Sequence, residues 1–171
     1  MSRTLAATSL AVGLLVAPQA HAQAPNPDAI PDKMPFATPA GTPISSDRAD
    51  AVIQAGVAEA KKRAWAMNIA VVTTSGELKA FTRMDGAQLA SVSIAQHKAR
   101  VAARYRRPTK ALEEAVQKGA TFLLTLDDVI ASRGGIPLID NGKIIGAVGC
   151  SGGTGSQDEA VCTAAAAVVN K

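Results

Sequence analysis

Two tight turns constrain this chain more than any other feature. Asp140-Asn141-Gly142 joins two apolar runs, Ile136 to Ile139 and Lys143 to Cys150. Asn-Gly accepts positive φ at both central positions of a two-residue hairpin, so this is a strong strand-turn-strand signal. Ser75-Gly76 plays the same part between Met67 to Thr73, rich in β-branched residues, and Leu78 to Met84, which alternates. Hairpins imply antiparallel pairing, because a parallel pair needs a long crossover. Helical patterns surround them. Ser45, Ser46 and Asp47 offer N-caps to Ala49 to Trp65, where Val52, Ile53, Val57 and Ala60 recur at helical spacing. Gln88 to Tyr105 is a second helix that stops before Pro108, and Thr109 opens a short third one that Gly119 ends. Thr121 to Val129 fits either strand or loop. Gln157 to Asn170 is the last helix, with Asp158 and Glu159 at its positive end. The order predicts an α+β domain, an antiparallel sheet with helices packed on it.

The second helix is apolar on two sides. Leu89, Val92, Ala95, Ala99 and Ala103 form one stripe; Ala90, Ile94, His97, Val101 and Tyr105 lie opposite. One stripe covers the sheet. The other asks for a second partner, and another copy of the chain is the simplest, which predicts a homo-oligomer.

The N-terminus reads as a secretory signal over residues 1–22. Arg3 precedes an uncharged run from Leu5 to Ala17, Pro18 breaks it, and Ala20-His21-Ala22 presents small residues for cleavage. The expected location is therefore periplasmic or secreted, and His97 is the single histidine left after processing. No apolar run reaches the roughly 18–20 residues of a membrane span. Residues 23–43 hold six of the nine prolines, Pro25, Pro27, Pro31, Pro35, Pro39 and Pro43. They read as an extended arm, a tether rather than a docking strap, in which only Met34 and Phe36 could anchor. Residues 44–171 form the domain. In an oxidising compartment Cys150 and Cys162 are either a disulfide or two small buried hydrophobes.

Several chemistries are excluded. Aromatic residues make up 3% of the chain, too few for the stacking platforms of a single-strand nucleic-acid binder, and the basic cluster lacks interleaved aromatics. The loop around Gly152, Gly153 and Gly155 lacks the Lys-Ser/Thr of a P-loop and the third glycine of a dinucleotide fingerprint. It either offers N–H groups to a carboxylate at a helix start or simply connects strand to helix. Ser151 is not in a G-x-S-x-G context, and a triad would have to recruit His97 from mid-helix. His97 itself reads as an iron ligand or as an interface histidine. The cations Lys98, Arg100, Arg104, Arg106 and Arg107 either pair with ligand carboxylates or solvate a helix end.

A set of motifs then comes together in order. Arg83-Met84-Asp85-Gly86-Ala87 leads into a helix carrying Lys98-Ala99, followed by Arg107-Pro108-Thr109 and Gly134-Gly135-Ile136-Pro137-Leu138. Gly146-Ala147-Val148-Gly149-Cys150-Ser151-Gly152-Gly153 and Gln157-Asp158-Glu159 complete it. This resembles the GlcG/HbpS-like family, a haem-binding-related group that includes the C-terminal domain of PduO, and covers roughly Ile44 to Asn170. The resemblance implies a profilin-like α+β fold and assembly from dimers to octamers. It implies binding of haem or a related tetrapyrrole, with exported relatives in haem and iron handling or redox sensing. Its iron ligand varies between histidine and threonine, which makes His97 and Thr109 the candidates here and Lys98, Arg107 and Arg83 the candidate propionate partners. Two other classes stand beside this one. The chain is an accessory or assembly protein binding a small organic acid or a protein partner, or a small enzyme using Asp85 and Lys98; Asp85 is more simply a cap.

Overall fold

The computed structural model describes residues 30 and 32–170. The segment read as a signal peptide, and most of the arm up to residue 31, lie outside the described residues. Everything below belongs to the compact unit Met34–Lys171.

Among the described residues there are four α-helices and four strands: α1 (Ser46–Lys62), β1 (Asn68–Val72), β2 (Leu78–Arg83), α2 (Ser91–Arg104), α3 (Thr109–Gln117), β3 (Gly135–Asp140), β4 (Lys143–Ser151) and α4 (Gly155–Ala166). The sheet order is β2-β1-β4-β3 and every neighbouring pair is antiparallel. Both hairpins form where the turn residues place them. Asn141 and Gly142 take φ of 49° and 72°, as the two-residue turn requires. Pro137 sits in β3, an edge strand, where a missing N–H is tolerated. The ambiguous stretch is a 3-10 turn over Thr121–Thr125 followed by irregular chain.

Helices cover both faces of the sheet. On one side Ile69, Val71, Val148 and Cys150 meet Val52, Ile53 and Ala60 of α1 and Val161, Cys162 and Ala165 of α4. On the other, Ala70, Val72 and Ala147 meet Ala95, Ala99, Ala102 and Ala103 of α2. All five β1 residues are therefore buried, which explains its unbroken apolar run. The α2 interface is unusually thin. A Cβ at Gly149 would lie 2.1 Å from the Ala95 carbonyl oxygen, and one at Gly135 would lie 2.3 Å from that of Lys98. The backbone of α2 thus rests directly on β4 and β3. A layer of alanine and glycine leaves little room for large side chains, and Phe81 of β2 packs against it only partly buried.

Two expectations need correcting. The end of the arm is not a free tether. The Gly41 N–H donates to the Ile144 carbonyl at 2.7 Å, the Ile144 N–H to Pro39 at 2.9 Å and the Ile44 N–H to Ile145 at 2.8 Å. Ala40 bridges Ile144 in parallel, alongside the end of β4 that β1 does not reach. Phe36 lies under the Arg107 guanidinium at 3.2 Å, whereas Met34 is exposed. The second face of α2 is also partly covered by the chain itself, with Ile94, His97 and Tyr105 half-buried and Ala90 exposed. Val101 is fully buried, the Tyr105 hydroxyl donates to the Asp127 carbonyl at 2.7 Å, and Asp128 lies against His97. Part of the second stripe therefore meets its own chain, and Ile94 stays partly exposed.

Gly149→Ala is expected to lower stability by about 1–3 kcal/mol, because the α2 backbone cannot yield to the added methyl group. Urea unfolding checks it. An unchanged midpoint would refute the close contact.

Candidate functional site

His97, Arg100 and Arg104 recur at i, i+3 and i+7 and so form one stripe along α2. All three converge on Asp128. His97 Nε2 lies 3.1 Å from Asp128 Oδ1 and 3.2 Å from the Asp128 carbonyl oxygen. Arg100 Nε donates to both carboxylate oxygens at 3.0 Å. Arg104 adds a third donor at 3.0 Å. Burial pushes the Asp128 carboxyl up, but the hydrogen bonds from Arg100 and Arg104, with the charge of Arg100 and His97, outweigh it and hold it below the usual range. Both oxygens facing His97 Nε2 are acceptors, so that nitrogen carries its hydrogen and offers no lone pair while Asp128 is in place.

The next residue, Lys98, points the other way, into the protein. Its Nζ donates to Asp158 Oδ2 at 2.7 Å, and both side chains are almost wholly buried. Asp158 Oδ1 accepts from the N–H groups of Gly152 at 3.0 Å and Gly153 at 3.1 Å. Burial pushes this carboxyl up, and Lys98 with the two glycine N–H groups pulls against it. The glycine-rich loop thus does hold a carboxylate, and it is the chain's own. Thr154 caps α4 reciprocally with Gln157. Around this pair, Arg133 bridges Glu113 at 2.8 Å and Glu159 at 3.3 Å, and Lys110 reaches Glu159 at 3.0 Å. Cys150 and Cys162 are joined, Cα atoms 5.6 Å apart, and tie β4 to α4 behind the loop.

The remaining candidates scatter. Thr109 is fully buried and its hydroxyl accepts from the Gly135 N–H at 2.9 Å. Arg107 donates to the Tyr105 carbonyl at 3.1 Å and stacks on Phe36; burial lowers its pKa from the ordinary value. Arg83 ends β2 and lines a separate cleft with Val57 and Lys61 of α1. Of the five, only His97 belongs to the cation stripe, accompanied by Arg100 and Arg104. Sequence reasoning missed Asp128 and undervalued Asp158. The i, i+3, i+7 spacing of the cations was a usable signal. An acidic pair, Asp127-Asp128, in an otherwise uncharged stretch from Gly119 to Ser132 was another.

Two outcomes are expected. Because the Asp128 pKa is lowered, its contribution is complete above the ordinary value of 3.8 and disappears as pH falls through the lowered one. The stability gap between wild type and Asp128→Asn in urea should therefore be constant near neutrality and close in acid; a gap persisting at low pH would refute it. Lys98→Met, which strands the Asp158 carboxylate, should cost about 3–5 kcal/mol. Adding Asp158→Asn keeps an acceptor for Gly152 and Gly153 and should recover part of that loss, which thermal unfolding measures.

A family model described as "Haem degrading protein HbpS-like" matches residues 44–167. Protein GlcG of Escherichia coli strain K12 is 46% identical over 108 residues, which span 63% of this chain and 81% of that protein. The crystal structure of HbpS superposes with a TM-score of 0.71 at 28% identity, covering 77% of this chain and 93% of that one. A crystal structure of a PduOC–heme complex superposes at 0.69 and 27% identity, covering 75% and 96%. With the α+β fold, the ordered glycine motifs and these matches in agreement, the chain belongs to the HbpS-like family.

Proposed function

We propose that this chain is an exported, oligomeric protein that binds haem or a related tetrapyrrole, without strong turnover, in haem and iron handling or redox sensing. The observation that carries the reading is the stripe on α2: one partly exposed imidazole in line with two guanidiniums, on a member of a haem-related family. A tetrapyrrole needs an axial donor beside cations for its propionates, and His97 with Arg100 and Arg104 supplies that set. Thr109 fits less well, since its hydroxyl is buried and already bonded. Lys98 is committed to Asp158. When bound, the group supplies a redox-active iron; the chain's part is to ligate it and hold its carboxylates. The heme complex of a structural neighbour supports the ligand class.

The disulfide supports export, since such bridges persist in oxidising compartments, and it accords with the signal read in residues 1–22. Large exposed apolar side chains support assembly: Leu89, Phe122 and Leu124 are 71%, 64% and 58% exposed. They offer contact area for further copies, from a dimer to an octamer. A second reading, a site for a small organic acid, is favoured by an imidazole and two guanidiniums gathered on one carboxylate.

Titrating the protein with hemin tests the reading. A saturable Soret shift, lost in His97→Ala, is expected. No saturable shift, or one unchanged in His97→Ala combined with Thr109→Ala, would overturn it. Progressive loss of haem absorbance would replace binding by degradation. A thermal shift with citrate but none with hemin would favour the organic-acid reading.

A further inference from the structure

The basic stripe of α2 is already occupied by a carboxylate, and the occupant belongs to the chain. We propose that His97, Arg100 and Arg104 form a site for a ligand carboxylate, which Asp128 fills as an internal placeholder until the ligand displaces it.

Four observations lead there. An imidazole and two guanidiniums face a single carboxylate, which accepts hydrogen bonds from both arginines, so the two guanidiniums alone carry more charge than Asp128 neutralises. Asp128 reaches it with φ of +60°, a left-handed conformation that carries a small cost for aspartate, as for asparagine, and none for glycine. The contact is held against a backbone penalty, and a competitor that removes the contact also lets the backbone relax. The occupied state is closed to ligation at Nε2, because the Asp128 carbonyl takes the hydrogen of that nitrogen and the carboxylate lies 3.1 Å from it. Finally, there is space beside the latch. Arg104 also lines a cleft of about 360 Å³ between the β1–β2 turn and the arm, together with Arg106, Ser75, Ala103, Ala40 and Ile144. Cations and a hydroxyl at a wall of alanine and isoleucine suit a ligand with carboxylates on an apolar body.

The identity of that ligand as a tetrapyrrole rests on the function proposed above; the latch does not. A propionate would take the place of the Asp128 carboxylate, and the same displacement would free His97. The segment around Asp128 then sets affinity, because a competent state that is only partly populated weakens apparent binding in proportion.

Asp128→Asn tests this, since asparagine tolerates the left-handed conformation. Asp128→Gly, which suits the same angle, serves as a second variant should the first fold poorly. Each should bind hemin at least about tenfold more tightly than wild type, with faster hydrogen exchange at amides 126–130. Hemin dimethyl ester, which lacks the carboxylates, should show a smaller gain. Arg100→Gln with Arg104→Gln should cancel the gain for hemin. Citrate separates the latch from the haem reading. If no form binds hemin, the function proposed above fails, and a larger thermal shift with citrate in Asp128→Asn than in wild type still supports the latch. Equal or weaker binding of both probes in the Asp128 variants would overturn it.

Discussion

The backbone of α2 lies against Gly149 of β4 and Gly135 of β3, and much else follows from that contact. At such a distance the facing residues of the helix can only be small, hence the alanines at 95, 99, 102 and 103. A thin interface buries less area per residue than one built on leucine or phenylalanine. The opposite face compensates with branched side chains from α1, α4 and the sheet. The contact also sets the rotation of α2. With Ala95 and Ala99 facing the sheet, Lys98 is directed into the protein toward α4, and His97, Arg100 and Arg104 are directed outward as a group.

Two neighbouring residues of α2 therefore have unlike fates. Lys98 joins two layers through an ion pair with little access to water. Such a pair stabilises little relative to an apolar replacement, but losing one member is severe. It fastens the glycine-rich loop, because Asp158 holds both Lys98 and the Gly152 and Gly153 amides. His97 stays near the surface, where its partner is a carboxylate on an irregular segment. Rigidity and exchange are thus divided between the inner and outer sides of one helix.

The antiparallel sheet was legible because turn chemistry is local: Asn141-Gly142 demands positive φ whatever surrounds it. The alternation and apolar runs assigned the strands for the same reason. What could not be read was which side of α2 met its own chain. His97 and Tyr105 look like an unpartnered stripe until Asp128 and Asp127 meet them, and that contact spans many residues and an irregular segment without periodicity. The family motifs pointed to Lys98 and Thr109 without revealing that both are interior. A burial class is a property of the packed layers, and a charged residue in a helical pattern defaults to solvent. The arm was misjudged because prolines signal extension but not what an extended segment pairs with; only the unused hydrogen-bonding groups of β4 at Ile144 and Ile145 decide that.

The Cys150–Cys162 bridge acts most strongly on the chain before it folds. It closes a loop of sequence separation 12, and this loop contains Gly152, Gly153 and Asp158. A crosslink of that size removes roughly 3 kcal/mol of unfolded-state entropy in the chain-entropy model. It keeps the aspartate close to the amides that bind it even in the unfolded chain, so gathering the receptor for the Lys98 ammonium costs less entropy. A polypeptide kept in a reducing environment would have to assemble that receptor and fill it in the same step.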